Sequence, residues 1–340
     1  MRPTVLRGAV ALLLPVVAAC GNDSKMPMLP PPPPSAQDGL WVVSGNPPGI
    51  LRLDPTQLTD TGQRVPATIL TTPSGGLRTL SGVAFDNAGN LWVASDDDSL
   101  LLGFDPGALT SSGSKAARTV IRPTRGSLSG PIGLAFDSHQ RLWVVNHLSG
   151  TLVRFDPAQF AAGGTQAPAV VLSVPGTPVA IAFDAAGSLW VSDNQFHVIY
   201  RFTAAQLAAS GSPPAFVLTT ADSLVNPTGI AFDAAGNLWV ANNGRSNLLA
   251  FTPAQLAGAG PLEPNVVITS SGSLGIPLGL AFEEDGSLWV VGGTGLLAKF
   301  APSSLGASGP RTPIARLKIS GHVLFWSAAL WPKPTGLPLN

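Results

Sequence analysis

The residues best suited to chemistry follow six copies of a Leu-Trp-Val motif, and they differ from copy to copy. Carboxylate and amide oxygens bind hard divalent cations. An imidazole can act as a general base when a second group orients its ring. These positions therefore point to two kinds of site, one for a ligand or cation and one for proton transfer. The polar side chains after the motifs include Ser44, Asn46, Asp96, Asp97, Asp98, Asn146, His147, Asp193, Asn194, His197, Asn242, Asn243 and Arg245.

Three of these residues occupy equivalent positions. Asn146, Asp193 and Asn242 each stand three residues after the tryptophan of their motif, so we expect them to converge on a common axis. They are the candidate ligands for a divalent cation such as calcium. Asn and Asp also cap turns and tolerate left-handed backbone, which explains the same residues structurally. Both interpretations stay open at the level of sequence, which establishes no cofactor.

The remaining candidates are assigned by residue type. His147 and His197 are the candidate general bases, although the sequence does not show what would orient either ring. The run of acids at 96–98 is interpreted as a solvated turn, because adjacent acids in one loop cannot all face one ion. The candidate ligand-binding set is Asn146, Asp193, Asn194, Asn242, Asn243 and Arg245.

Composition excludes several classes of function. Lys plus Arg and Asp plus Glu number 19 each, so no long-range field favours nucleic acid as a partner. The single cysteine excludes an intrachain disulfide framework and a zinc site built from several cysteines. The sequence also lacks a Walker loop, a His-Glu-x-x-His helix, a Gly-x-Ser-x-Gly elbow and a dinucleotide-binding fingerprint.

The elements that must position these residues repeat along the chain. The motif tryptophans recur at spacings of 51, 51, 47, 49 and 50 residues. The copy around Trp239 predicts strands at 229–232, 238–241, 248–251 and 265–269, with a turn at 233–237 and a helical turn capped by Thr252. Four antiparallel strands in about 49 residues are typical of one β-propeller blade. The motif tryptophans are Trp41, Trp92, Trp143, Trp190, Trp239 and Trp289.

The two ends of the repeat array predict how the ring closes. The first copy begins abruptly at Asp38 without its inner strand. The segment 327–330, Ser-Ala-Ala-Leu, aligns with Gly-Leu-Ala-Phe of the complete copies. We therefore expect an all-β, six-bladed propeller over residues 38–340, in which a C-terminal strand completes blade one. Trp326 and Trp331 are expected to seal this closure.

The cassette Pro-x-Gly-Ile-Ala-Phe-Asp-x-x-Gly-x-Leu-Trp-Val-Ala-Asn resembles the NHL-repeat, gluconolactonase and streptogramin-lyase-like propeller superfamily. This resemblance covers residues 38–340 and implies the six-bladed fold. The superfamily contains metal-dependent lactonases, a lyase that opens cyclic antibiotics, and binding domains without catalysis. The metal-binding residues of the lactonases and the catalytic His and Glu of the lyases do not map onto this sequence residue by residue.

Two functions remain after these observations. The loops between second and third strands, and those between blades, emerge on one face of such a propeller. The sequence favours a binding or scaffolding module that receives a protein, peptide or glycan at this polar face. A metal-dependent hydrolase or lyase with its site at the central axis is the alternative.

The N-terminus predicts where the protein resides. Arg2 and Arg7 precede an apolar run at 8–19 that is too short to span a bilayer and is typical of a signal peptide over 1–19. Val17-Ala18-Ala19-Cys20 resembles the bacterial lipoprotein box, which implies lipidation of Cys20. Residues 20–37, with five prolines at 30–34, are expected to form a semi-rigid tether. Because Gly21 rather than Asp follows the cysteine, the outer membrane is favoured over the inner membrane for this extracytoplasmic protein.

Substitution of the cysteine tests the anchor. Cys20→Ser removes the thiol that would carry the lipid, and a single remaining acyl chain or none gives only marginal membrane binding. We expect this variant to move from the membrane fraction to the soluble fraction. If the Cys20→Ser protein stays in the membrane fraction as the wild type does, the lipoprotein prediction is wrong.

Overall fold

The structure is a computed structural model that describes residues 35–73, 79–124, 127–258, 261–269, 272, 274–334 and 337. The predicted signal peptide, Cys20 and the prolines at 30–34 lie outside the described residues. The residues described belong to one compact unit. Among them, no helix has the length and apolar character needed to cross a membrane.

Six small sheets form the molecule, and each corresponds to one copy of the repeat. Named from the inner strand outwards, blade 1 contains Leu324–Trp331, Gly39–Asn46, Pro48–Leu53 and Thr68–Thr71. Blade 2 contains Leu80–Phe85, Leu91–Ser95, Leu100–Phe104 and Thr119–Pro123. Blade 3 contains Pro131–Phe136, Leu142–Asn146, Thr151–Phe155 and Val170–Ser173.

Blades 4 to 6 follow the same order. Blade 4 contains Pro178–Phe183, Leu189–Asp193, Val198–Phe202 and Phe216–Leu218. Blade 5 contains Pro227–Phe232, Leu238–Asn242, Asn247–Phe251 and Val266–Thr269. Blade 6 contains Pro277–Phe282, Leu288–Gly292, Leu296–Phe300 and Ala315–Ile319. The prediction of an all-β, six-bladed propeller is confirmed.

The C-terminal strand closes the ring as the repeat alignment predicts. Leu324–Trp331 pairs antiparallel with Gly39–Asn46, and Leu40 lies opposite Leu330. The ring of Trp331 packs on Phe85 of blade 2 with centroids 5.0 Å apart. Blade 1 is thus built from both ends of the described chain, and Trp331 seals the contact with its neighbour.

Short parallel strands at the outer edge were not predicted. They lie in the connection between the third and fourth strands of one blade and pair with the fourth strand of the preceding blade. Their polar, glycine-containing sequences carry no hydrophobic alternation, so the pattern gave no signal for them. They cover sheet edges that would otherwise be open to other chains. These strands are Gly62–Arg64, Gly113–Ser114, Gly164–Gln166 and Gly309–Pro310.

Helical turns join the third strand of each blade to this connection. In the turn Pro253–Leu256, Thr252 accepts the backbone amide of Gln255, whose side chain accepts the amide of Thr252. Such reciprocal capping satisfies amides that the first helical turn leaves free. The predicted cap at Thr252 is confirmed. The other helical segments of the described chain are Pro55–Leu58, Pro106–Thr110, Pro157–Ala162, Gln206–Ala208, Asn243–Arg245 and Pro302–Ser304.

The motif tryptophans pack between blades. In blades 1 to 5 the indole meets the inner-strand Phe of the next blade edge-on, at centroid distances of 6.0, 6.5, 6.5, 5.9 and 6.2 Å. The indole nitrogens of Trp92, Trp143, Trp190 and Trp239 donate to the Asp of the preceding Phe-Asp turn at 2.9–3.3 Å. These acids are therefore committed to the fold.

Replacement of one turn acid tests this arrangement. Asp184 Oδ1 accepts the amides of Ala186 and Ser188, while Oδ2 accepts the indole nitrogen of Trp190 at 2.9 Å. In Asp184→Asn an amide NH₂ replaces one of the two carboxylate oxygens. That NH₂ group faces an N–H donor and leaves the donor without an acceptor. We expect a loss of about 1–3 kcal/mol in the free energy of unfolding measured in urea. The exposed control Asp222→Asn should change it by less than about 0.5 kcal/mol; equal effects would contradict the role of Asp184.

Candidate functional site

The upper face of the propeller consists of the hairpins between second and third strands together with the connections between blades. Every candidate ligand-binding and catalytic residue predicted from the sequence lies on these segments or at the end of the second strand that leads into them. The lower face carries the Phe-Asp turns and the helical turns that follow the third strands, with His139 in the turn of blade 3. The grouping of the candidates on one face agrees with the predicted strand order.

Asn146 and Asn242 are fully buried and hold their own hairpins. The Asn146 side chain accepts the amide of Ser129 at 3.2 Å and donates to the carbonyl oxygen of Ser127 at 3.1 Å. Asn242 repeats both bonds with Val225, at 2.7 Å, and with Ser223, at 2.9 Å. Each Asn thereby fastens its hairpin to the connection that enters the blade.

The expected convergence of Asn146, Asp193 and Asn242 on the axis does not occur. All three side chains are fully buried, and the residue that follows each of them lies at the axial cavity. The reason is the strand alternation, which turns successive side chains to opposite sides. Within the part of the chain that the structure describes, no group of three or more His, Cys, Asp or Glu could hold a metal ion.

Asp193 differs from Asn146 and Asn242 because its carboxyl group, unlike their side-chain amides, has no N–H group to donate. Its Oδ1 accepts the amide of Phe196 at 2.7 Å, whereas Oδ2 is buried without a hydrogen-bond partner. A Cβ on Gly176 would lie 2.3 Å from Oδ2, so the backbone of this connection packs directly on the carboxyl group. Burial raises the pKa of Asp193, and the backbone groups of Phe196, Thr177 and Gln195, together with the nearby His197, oppose this shift only in part.

In blades 2 to 5, the fourth residue after the motif tryptophan lines the upper end of a cavity of about 360 Å³ on the propeller axis. Their backbone amides donate to the carbonyl oxygens of the adjoining connections at 2.9–3.3 Å, which fixes the backbone and leaves the side chains at the cavity. Two of these residues, Asn194 and Asn243, belong to the ligand-binding set predicted from the sequence. The four residues are Asp96, His147, Asn194 and Asn243.

His147 and Asp96 form a pair across two blades. The His147 Nε2 and Asp96 Oδ1 atoms are 3.2 Å apart, and the side chains are 25% and 21% exposed. Asp97 and Asp98 instead bond to Thr79 and Ser95. The three adjacent acids therefore face different partners, as the sequence analysis expected, and only Asp96 orients an imidazole at the cavity.

The other candidates lie away from the cavity lining. His197 is exposed, and its Nδ1 accepts the amide of Asn226 at 3.1 Å. Arg245 is exposed on the turn Asn243–Arg245. His322 is buried, with Nδ1 2.9 Å from the hydroxyl oxygen of Ser44, and burial lowers its pKa. His147 is thus the histidine that combines a carboxylate partner with access to the cavity.

The inner strands form the cavity wall, and glycine lets them approach one another. A Cβ on Gly82 would lie 2.2 Å from the carbonyl oxygen of Ile132, and one on Gly229 would lie 2.6 Å from that of Leu278. Every inner strand supplies apolar side chains to the lining. The wall is therefore mainly apolar, with Ser81, Thr228 and Ser327 as the polar residues that the inner strands contribute.

The segment after the closing strand bounds the lower end of the cavity, a feature that sequence reasoning missed. Lys333, Pro334 and Leu337 belong to the lining. Lys333 Nζ donates to Asn87 Oδ1 at 3.3 Å and lies 5.5 Å from the ring of Phe136. Burial lowers the pKa of Lys333 to about 8. No periodic pattern marks this segment, so the sequence offered no signal for its position.

Five large apolar side chains are exposed on the upper face, another feature that sequence reasoning missed. Trp326, expected to seal the ring, instead lines the cavity and is 39% exposed. The residues follow no repeat, so only the structure brings them together on the upper face. They are Leu148 (70% exposed), Phe196 (53%), Ile276 (45%), Val323 (56%) and Trp326.

Comparison with solved structures finds other propellers. A chain of a nidogen/laminin complex matches with a TM-score of 0.60 at 14% identity, over 85% of this chain and 96% of that one. Virginiamycin B lyase from Staphylococcus aureus matches with a TM-score of 0.50 at 14% identity, over 71% of this chain and 70% of that one. A catalytically inactive variant of that lyase with quinupristin matches with a TM-score of 0.50 at 13% identity, over 78% and 82% of the two chains.

These matches confirm the resemblance to the streptogramin-lyase and NHL-type propellers at the level of fold. No protein-family model matches the chain. No curated protein matches it. The site must therefore be interpreted from the geometry of this chain.

Replacement of Asp193 by Asn tests the buried carboxyl group. Asn146 and Asn242 show that an amide fits this position, so Asp193→Asn should raise the free energy of unfolding by about 1 kcal/mol at neutral pH. The wild-type carboxyl group has a raised pKa when folded, so its stabilising effect is complete below the ordinary value near 3.8 and is lost as pH rises. The gain should therefore grow from pH 4 towards neutrality. A constant or negative difference across this range would contradict the account.

Proposed function

We propose that this protein is an extracytoplasmic, lipid-anchored propeller that binds a protein partner through its upper face. The observation that supports this function is the exposure of five large apolar side chains on the upper face, on its hairpins, its connections and the start of the closing strand. Of the large apolar side chains that the structure leaves exposed, Val65, Val171, Val217 and Ile314 lie on outer parts of the blades, while the other five share one face. A concentrated exposed apolar patch is typical of an interaction surface.

The patch has the composition of a protein interface. Phe196 and Trp326 supply aromatic surface, and aromatic residues dominate the binding energy of most interfaces. Asn194, Asn243 and Arg245 lie on hairpins of the same face and can donate hydrogen bonds to a partner's backbone. The predicted ligand-binding role of these three residues is retained in this proposal.

The predicted anchor and tether fit a binding module. A lipidated Cys20 followed by a proline-rich segment would hold the propeller off a bacterial membrane, with the outer membrane favoured. One similar fold occurs in a nidogen/laminin complex, which is in keeping with a propeller that binds protein. We accordingly place the partner outside the cytoplasm.

The pair formed by His147 and Asp96 favours a second candidate, a hydrolase or lyase at the axial cavity. Asp96 could hold the imidazole of His147 as a general base for a substrate in the cavity. Asp96 and His147 bond to one another, and no third acid or imidazole joins them among the described residues, so this candidate rests on the imidazole rather than on a metal ion. Turnover of lactones or esters that His147→Ala abolishes in a stably folded protein would establish this candidate over the binding module.

Site-specific photocrosslinking in the bacterial envelope tests partner binding. A photoreactive amino acid at Leu148 or Phe196 should give a discrete covalent adduct with a protein. The same group at Val217, which is 40% exposed at the outer part of blade 4, should give none. Phe196→Asp should abolish the adduct formed at Leu148, because a carboxylate in an apolar interface loses its hydration. Failure to form any adduct at the upper face would contradict the proposal.

A further inference from the structure

We propose that the axial cavity is a site for one small amphipathic molecule, with an apolar body inside the cavity and a neutral or cationic head group at its mouth. This inference goes beyond the protein-binding function because the apolar body occupies the lumen of the cavity; only Asn194, Asn243 and Trp326, at the mouth, belong to both surfaces. Its volume of about 360 Å³ falls within the range of roughly 300–1,000 Å³ that is usual for small-molecule sites.

The lumen suits an apolar body. Its wall includes Ile132, Val179 and Leu278, which precede the Gly or Ala of their inner strands and remain partly accessible. At the same position blades 2 and 5 have Ser81 and Thr228, which are buried. Apolar groups that leave water for such a lumen gain roughly 25 cal/mol per Å² of buried surface. The wall thus provides affinity without specificity, which must come from the two ends.

Access to the cavity is from the upper face. At the lower end, Trp331 packs on Phe85 and Lys333 is bonded to Asn87, and the cavity is lined there by Lys333, Pro334 and Leu337. Leu337 packs against the apolar cluster of blades 5 and 6. A ligand would therefore enter head-last from the upper face and leave its polar group at the mouth.

The mouth has a polar side and an apolar side. Asp96, His147, Asn194 and Asn243 occupy equivalent positions in blades 2 to 5, whereas blades 6 and 1 have Gly293 and Gly45. A Cβ on Gly45 would lie 2.8 Å from Trp326 Nε1, and one on Gly293 would lie 3.0 Å from Leu278 Cδ1. The two glycines make room for apolar groups on that side, where Trp326 offers a surface to the neck of the ligand.

The polar side has unused hydrogen-bonding capacity. The side-chain amides of Asn194 and Asn243 have no hydrogen-bond partner among the described residues, although both residues line the cavity. Asp96 is the acid in the lining, while Lys333 lies at the far end beside Asn87 and near Asp86. A carboxylate at the mouth repels anions, so the head group that fits is neutral or cationic.

Binding of three decyl compounds to the purified protein tests this assignment by calorimetry below their critical micelle concentrations. Decyltrimethylammonium and 1-decanol should bind with a stoichiometry of one, and decanoate at least tenfold more weakly than the cation. Shortening the chain should lower affinity by roughly fourfold per methylene. Binding of several molecules per protein, equal binding of decanoate, or no binding at all would overturn the proposal.

A matched pair of variants locates the site. Val179→Trp fills the lumen, and Val217→Trp makes the same change at the outer part of the same blade. We expect Val179→Trp to lower decanol affinity at least tenfold and Val217→Trp to leave it unchanged. Ile132→Trp provides an independent obstruction from blade 3 should Val179→Trp fail to fold. Unchanged affinity in a folded lumen variant would overturn the assignment.

Two further measurements separate the head-group contacts from the protein-binding face. Asn194→Ala and Asn243→Ala should each lower decanol affinity roughly threefold to tenfold, since each removes one hydrogen-bonding group. Phe196→Asp, which is designed to abolish partner crosslinking, should retain decanol binding. Loss of decanol binding in Phe196→Asp together with the Leu148 adduct would show one common site and overturn the separation.

Discussion

The contact on which the ring depends is the packing of a motif tryptophan on the inner strand of the next blade, which presents a phenylalanine to the tryptophans of blades 1 to 5. Every such contact buries an indole whose N–H must still find an acceptor, and the Asp or Glu that follows the inner strand provides it in blades 2 to 6. An aromatic pair adds about 0.5–1.5 kcal/mol beyond its buried area, while an unpaired buried donor costs about 1–3 kcal/mol. Packing and hydrogen bonding therefore constrain the same residues.

Blade 1 shows how the constraint is met when the repeat is broken. It has no Phe-Asp turn, because its inner strand comes from the C-terminus, and Trp41 instead donates to the carbonyl oxygen of Gln37 at 2.9 Å. Leu330 replaces the Phe that Trp289 of blade 6 would meet, and both residues belong to one apolar cluster. The closure thus retains the contact while changing the residues that make it.

The residues that repeat from blade to blade stabilise the fold. Residues that carry function are therefore expected at positions that differ between blades. In blades 2 to 5 the residue three positions after the tryptophan is buried and structural, whereas the next residue lines the cavity. This division explains why Asn146 and Asn242 contribute hydrogen bonds to their hairpins, while the side-chain amides of Asn194 and Asn243 have no hydrogen-bond partner among the described residues. Adjacent residues of the same type therefore have different tasks.

The sequence predicted the features that repetition specifies. Trp spacing located the blades, the alignment of 327–330 located the closure, and Thr252 marked a helical turn. It could not distinguish Asn242 from Asn243, because an asparagine that fastens a loop and one that faces a ligand have the same chemistry. The position of Lys333 and the exposure of Trp326 depend on long-range packing in one copy only, so no pattern revealed them.

Comparison of Asn242→Ala with Asn243→Ala is the most direct test of this division between structural and functional positions. Asn242→Ala removes bonds to Val225, Ser223 and Asn247 in a buried position, and should lower the free energy of unfolding by about 1–3 kcal/mol in urea. Asn243→Ala should change it by less than about 0.5 kcal/mol. Equal losses, or a larger loss for Asn243→Ala, would contradict the account.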